Sequence, residues 1–237
     1  MANDYFRFKQ FTVAQEGCGM KVGTDGVLLG AWVAVGACEA MLDVGTGTGL
    51  IALMLAQRSG AVVDAIDVDE AAFRQARGNV SASPFAGRIK VYHASLAAYA
   101  STAERRYDLV VSNPPYFVRS LKSPDRQRTM ARHADTLPLP CLVRDSLSLL
   151  TPNGRMAFIL PSSREEELME IAGEYGLNRI RKTAVIPRPG ALPKRFLVEL
   201  SAVPSLPCST GLLTLEESRH HYTPAYRELT RDFYLNM

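Results

Sequence analysis

The sequence predicts an α/β fold: a doubly wound, Rossmann-like sheet of parallel strands followed by a C-terminal antiparallel hairpin. Three observations predict it. From Ala40 onward, short apolar runs alternate with helix-like segments, the pattern of parallel strands covered by helices on both faces. A glycine-rich turn, Gly45-Thr46-Gly47-Thr48-Gly49, joins the first apolar run to its helix. Near the C-terminus, two apolar runs are joined by a Pro/Gly loop too short to hold a helical crossover, which requires an antiparallel pair.

The elements follow in chain order. Residues 1–39 precede the alternating pattern as an N-terminal extension. The candidate strands are Met41–Val44, Val62–Ile66, Ile89–Tyr92, Leu109–Ser112 and Arg155–Leu160. Gly49–Arg58 crowds apolar residues at helical length, and Asp69 is placed to cap a helix running to Asn79. A helix over Leu139–Leu150 is predicted to stop at the turn signal Pro152-Asn153-Gly154. Ser162 or Ser163, followed by Glu165, Glu166 and Glu167, is predicted to cap the next helix. Leu177–Ile186 and Phe196–Val203 form the hairpin, Pro204–Thr210 reads as a linker, and Tyr222-Thr-Pro-Ala-Tyr226 introduces a C-terminal helix. Residues 116–137 form a polar, charge-rich insertion without apolar periodicity, predicted to be mobile until substrate binds.

Composition bounds the possibilities. The chain has 237 residues, 47% of them hydrophobic, with 27 Lys and Arg against 24 Asp and Glu and a net charge of +3; it can bury a full core and is neither disordered nor fibrous. Cys18, Cys38, Cys141 and Cys208 lie too far apart for a disulfide framework or a zinc site and read as free thiols. The conspicuous apolar run Gly26–Cys38 falls short of the ~18 residues of a membrane span. Asp4, Arg7 and Lys9 stand where a secretion signal needs apolar residues. The expectation is a cytoplasmic protein with no membrane association, no metal and no evident obligate protein partner; His220, His221, His133 and His93 read as surface, insertion or strand-end residues.

The glycine turn carries the first chemistry. Glycines let the backbone turn sharply and approach a ligand, and the helix that follows points amide donors into the crevice beyond the strand ends. The spacing is G-x-G-x-G directly after Asp43, and Leu50 stands where a dinucleotide fingerprint requires its last glycine, so the pattern turns away from NAD. Asp67 ends the second strand, where a carboxylate accepts hydrogen bonds from both ribose hydroxyls of an adenosine moiety. Capping of the next helix is the competing role, and it is assigned to Asp69.

The second constellation is Asn113-Pro114-Pro115-Tyr116-Phe117, directly after the fourth strand. Two prolines remove two backbone donors and leave carbonyl acceptors exposed. The Asn113 side-chain oxygen and the Pro114 carbonyl can receive both hydrogens of a planar amino group while the Tyr116 ring offers a stacking face. An exocyclic amine conjugated to a ring is a poor nucleophile; holding both hydrogens frees its lone pair for an electrophilic methyl group. That is catalysis by positioning and electrostatics, without a strong base.

With these residues in view, the chain resembles the class I S-adenosylmethionine-dependent methyltransferases of the amino-methylating type, and more narrowly the bacterial YfiC family, the tRNA-valine adenine-37 N6-methyltransferases. The resemblance is carried by Phe6-Arg-Phe-Lys-Gln-Phe11, Met20-Lys-Val-Gly-Thr-Asp-Gly26 with Leu28-Leu29-Gly30-Ala31-Trp32, Leu42 to Gln57, Asn113 to Val118 and Asp232-Phe-Tyr-Leu235. It implies S-adenosyl-L-methionine as cofactor and tRNA as substrate. Asp43, Gly45, Thr46, Gly47 and Gly49 would surround the methionine part. Asp67 would lie on the ribose, Val68 would also bind the cofactor, and Lys21 to Thr24 would lie over the methionine end, so that residues 1–39 cover the cofactor site of a methyltransferase domain spanning 40–237. Asn113, Pro114, Pro115 and Tyr116 would receive the adenine. Ser95 stands where many such enzymes carry an acidic residue for the cofactor adenine.

Charge is unevenly spread. Between Asn178 and Val198 stand Arg179, Arg181, Lys182, Arg188, Lys194 and Arg195 with no acidic residue, a basic segment suited to RNA phosphates, with Arg188, Lys194 and Arg195 as the chosen contacts beside Tyr116 and Phe117. The alternative is a strand edge kept soluble by its cations. Three other functions are compatible with these residues: methylation of guanine N2 in ribosomal RNA, methylation of a glutamine side chain in a protein, and a binding protein that has lost catalysis.

Overall fold

A computed structural model describes residues 4–17, 21–115, 137–204 and 207–236. A hairpin of β1 (Tyr5–Arg7) and β2 (Thr12–Ala14) leads to α1 (Thr24–Trp32). The alternating core follows: β3 (Ala40–Val44), α2 (Leu50–Arg58), β4 (Val62–Asp67), α3 (Glu70–Ser81), β5 (Ile89–His93), α4 (Leu96–Thr102), β6 (Tyr107–Ser112), α5 (Leu139–Leu149), β7 (Leu150–Pro161), α6 (Glu165–Glu174), β8 (Asn178–Ile186) and β9 (Arg195–Ser201). The chain closes with β10 (Ser209–Thr214), the short pair β11 (Glu216–Ser218) and β12 (His221–Tyr222), and α7 (Pro224–Thr230).

The main sheet has eight strands in the order β10-β8-β9-β7-β6-β3-β4-β5. The pairs from β7 through β6, β3 and β4 to β5 are parallel, and β9 runs antiparallel to both β7 and β8. The predicted hairpin is therefore present, but β9 is inserted between β7 and β8, so that only β9 is reversed. Period-two alternation divides the strand residues between two cores. Met41, Val63, Leu109 and Ala157 pack under α1 and α2, whereas Leu42, Val110, Met156 and Phe158 pack with Leu142 and Val143 of α5 and Leu168 of α6.

Several sequence expectations are corrected. The Ser162/Ser163 cap is not made: a 3-10 turn over Ser162–Arg164 intervenes, Arg164 takes the N-cap position, and Ser162 Oγ is buried without a partner among the described residues. The Pro152-Asn153-Gly154 signal does not separate helix from strand, because β7 already runs from Leu150 and absorbs those residues opposite an irregular step between Tyr107 and Leu109. A Cβ at Gly154 would stand 2.8 Å from the Tyr107 carbonyl oxygen, which accounts for the glycine. The end of the expected linker is strand: Ser209 and Thr210 pair with Arg181 and Lys182. Asp69 caps α3 as expected, accepting from the Ala71 amide at 2.8 Å.

The extension contains α1, a helix that no periodicity in residues 1–39 predicts. Its Gly26 and Gly30 lie against α2 so closely that added Cβ atoms would stand 3.1 Å from Leu50 Cδ2 and 2.7 Å from Met54 Sδ. The hairpin is fixed by Phe8, stacked on Phe11 and Tyr234, and by the Lys9 amide donating to the Phe233 carbonyl. The insertion at 116–137, apart from Leu137, lies outside the described residues, as do Cys18, His133 and the motif residues Tyr116 and Phe117.

Candidate active site at the carboxyl ends of the strands

Parallel strands bring their carboxyl ends to one edge, and the register states which residues meet there. Val44 pairs with Ile66 on one side and with Ser112 on the other, so the glycine turn leaves β3 between the ends of β4 and β6. The Ser112 hydroxyl donates to the Val44 carbonyl at 2.8 Å, fixing the point from which Asn113 departs beside Gly45. Pro114 is buried; Asn113 and Pro115 are half-buried.

The turn itself is held by backbone geometry. Gly45, Gly47 and Gly49 have φ of 69°, 57° and 82°, a region that side chains other than glycine rarely enter. The Gly45 and Thr46 amides donate to the Ile66 carbonyl at 2.9 and 3.0 Å, and the Gly47 amide donates to Asp67 Oδ2 at 2.8 Å. A Cβ at Gly45 would meet nothing within 4 Å, so open space borders the turn there.

Asp43 lies wholly buried under this turn. Its Oδ2 accepts from Thr46 Oγ1 at 2.6 Å and from the Ala52 amide at 3.1 Å, while Oδ1 is buried with no hydrogen-bond partner among the described residues. Burial pushes its carboxyl up to about 7, against the pull of those two donors. Asp67 is also raised by burial, opposed by the Asp69 and Gly47 amides. Beside it Val68 is 50% exposed, and its carbonyl lies 3.0 Å from His93 Nε2.

Lys21 and Thr24 are exposed at the start of α1. The close contact of Gly26 with Leu50 sets that helix start beside the glycine turn, and the Gln15 side chain accepts from the Val22 amide at 2.8 Å. Ser95 is exposed and caps α4, accepting from the Ala98 amide at 3.2 Å. Sequence reasoning missed Asn79. Buried on α3, it accepts from the Ala14 amide and donates to the carbonyls of Ala14 and Thr48, tying the N-terminal hairpin to the glycine turn. No local motif marks it; a lone asparagine inside a helical pattern was the available signal.

The β8–β9 loop reaches the same edge, since Arg195 opposes Pro161 at the carboxyl end of β7. The six cations of this segment separate into two groups. Arg179 and Lys182 both pair with Glu165, Arg181 lies 4.1 Å over the Trp32 ring and donates to the Trp32 carbonyl, and Arg195 Nε donates to Asp25 Oδ2 at 2.8 Å. Arg188 and Lys194 are exposed and make no ion pair among the described residues.

Among the described residues no group of three or more His, Cys, Asp or Glu is arranged to hold a metal ion, and no helix is long and apolar enough to cross a membrane.

Comparison with known proteins follows the same lines. The family model described as "Methyltransferase small domain" matches residues 24–170. Over 237 residues, and over all of both chains, the sequence is 55% identical to the tRNA1(Val) (adenine(37)-N6)-methyltransferase of Parabacteroides distasonis and 47% identical to the protein of that name from Phocaeicola vulgatus. Among solved structures, a predicted O-methyltransferase from Agrobacterium tumefaciens shares the fold with a TM-score of 0.69 at 21% identity, over 88% of this chain and 96% of that one.

Proposed function

We infer the working of this site from the chain's membership: it belongs to the methyltransferase small domain family and, along its whole length, to the tRNA1(Val) (adenine(37)-N6)-methyltransferases. It is an S-adenosylmethionine-dependent methyltransferase acting on the N6 amino group of adenine 37 in tRNA1(Val). We propose a division of labour among its residues, with the geometry in support.

The cofactor fits the residues present. Asp43 Oδ1 is a buried oxygen without a partner, beneath a turn whose Gly45 faces open space; an α-ammonium group, directly or through water, is the partner such a carboxylate lacks. Asp43, Gly45, Thr46, Gly47 and Gly49 hold the methionine part, with Lys21 and Thr24 at its outer side under the cover of residues 1–39. Asp67 takes the ribose hydroxyls on the lone pairs left after the Gly47 and Asp69 amides are served. Val68 offers an apolar contact to the adenine ring, and Ser95 a hydroxyl. Bound there, S-adenosyl-L-methionine supplies a methyl group activated by its sulfonium.

Asn113 and the Pro114 carbonyl accept both amino hydrogens of the substrate adenine, which frees the nitrogen lone pair toward the crevice between Asn113 and the glycine turn. Pro115 keeps the chain direction, and Tyr116 and Phe117 supply stacking faces by their place in the motif. The observation that supports this assignment is the Val44–Ser112 pairing, which starts Asn113 and the glycine turn from neighbouring strand ends. Arg188 and Lys194 neutralise RNA phosphates; Arg195, resting on Asp25 and on the Lys194 carbonyl, supports that surface from behind. A cytoplasmic location, where tRNA is modified, belongs to the same proposal.

The test is methyl transfer from labelled cofactor to unmodified tRNA, followed by nucleoside analysis. Label in N6-methyladenosine is expected. Label in N2-methylguanosine or in protein glutamine would contradict the assignment and select one of the alternative acceptors.

A further inference from the structure

The β8–β9 loop, Pro187-Arg-Pro-Gly-Ala-Leu-Pro-Lys194, holds a feature that phosphate binding does not use. Leu192 is 80% exposed, more than any other large hydrophobic residue described. Isolated surface leucines are ordinary, but three properties set this one apart. It stands between two exposed cations that have no ion-pair partner among the described residues, Arg188 and Lys194. The loop is stiff: it contains Pro187, Pro189 and Pro193, turns through Gly190 at φ 77°, and is closed by Ala191 N to Arg188 O at 3.1 Å and Lys194 N to Val185 O at 2.9 Å. A rigid loop presents an apolar tip without a large ordering cost on binding. Finally, the loop projects from the sheet edge that carries Asn113 and the glycine turn, pinned there by Arg195 on Asp25 at the start of α1.

We propose that Leu192 is an apolar wedge that enters the base stack of the RNA loop and holds the target adenine out of it. The proposal rests on the reading of the chain as a tRNA adenine methyltransferase. An amine whose two hydrogens are gripped by Asn113 and Pro114 must leave its stack to reach them, and extrusion costs unstacking energy that an inserted apolar side chain recovers. The flanking cations fix phosphates on either side of the gap, which directs the leucine between bases rather than onto the backbone.

The experiment uses the full-length protein and an anticodon stem–loop in which 2-aminopurine replaces the target adenine. That base lacks the N6 amine, so nothing turns over, and its emission rises when it leaves the stack. At saturating protein, the wild type is expected to raise the emission severalfold, Leu192→Ala to give less than half that rise, and Leu192→Met to restore it. On unmodified tRNA, Leu192→Ala is expected to lower kcat/KM about tenfold while cofactor Kd stays unchanged. No rise with wild type, an equal rise with Leu192→Ala, or an unchanged kcat/KM overturns the wedge. Absence of tRNA methylation by the wild type would instead overturn the reading beneath it, so the two failures are distinguishable.

Discussion

The glycine turn and the basic β8–β9 segment occupy the same edge of the sheet and are built in opposite ways. In the turn almost every polar group is already spoken for: the amides of Gly45, Thr46 and Gly47 and one oxygen of Asp43 have partners, and a single buried oxygen does not. In the basic segment four of six cations are spent inside the protein, on Glu165, on Trp32 and Glu199, and on Asp25, and two are left to solvent. A turn made from backbone geometry is satisfied by the fold at each of these groups except Asp43 Oδ1, which has no partner among the described residues. A surface made from charge is thinned by the fold, and its count in the sequence overstates what it presents.

The largest expected effect concerns the buried Asp43. Asp43, raised to about 7 by burial, keeps a proton in the folded state over a range in which the unfolded chain has lost it. Folding therefore takes up a proton between about pH 4 and pH 7, and stability falls as pH rises through that window, by on the order of 4 kcal/mol at most. Chemical denaturation across pH 4–8 should show this slope in the cofactor-free protein. Asp43→Asn should flatten it, and an unchanged slope in that variant would remove Asp43 as its source.

Next in size is the tie between hairpin and turn. Asn79→Ala removes one acceptor and two donor bonds at a buried position and should cost about 2 kcal/mol of stability. It should also weaken cofactor binding, because the Thr48 carbonyl loses its partner. Isothermal titration beside a denaturation curve separates the two effects; full stability with normal affinity would show that the tie does not order the site.

The smallest effects sharpen the contrast within the basic segment. Arg188→Ala with Lys194→Ala should lower the slope of log affinity for tRNA against log salt by about 1.5. Arg179→Ala, whose guanidinium already pairs with Glu165, should leave that slope unchanged. Equal losses from both substitutions would return all six cations to the RNA surface.

Much of this was legible in the sequence. The turn could be read because its requirement is local: φ near +70° at alternating positions calls for glycine, and the position of Asn113-Pro114-Pro115 directly after β6 follows from the apolar run before it. The α3 cap at Asp69 could be read for the same reason. The Ser162 cap failed because an inserted 3-10 turn moved the N-cap by two residues, to Arg164, and Glu165 is engaged by Arg179 and Lys182 of β8. The start of β10 was hidden in a Pro/Ser segment, since its pairing with β8 joins residues far apart in sequence. Helix α1 was hidden because from Gly26 to Trp32 it is apolar on every side and shows no amphipathic period; only Gly26 and Gly30 hinted at a close helix contact.

The proposed separation of amine positioning from ligand binding lies at one sheet edge. It is tested most directly by methylation kinetics of Asn113→Ala together with equilibrium binding of cofactor and tRNA. The expected result is a loss of at least about 1000-fold in kcat, with both dissociation constants within about threefold of the parent protein. Methylation at the parent rate, or a loss of activity that only follows a loss of cofactor binding, would contradict it.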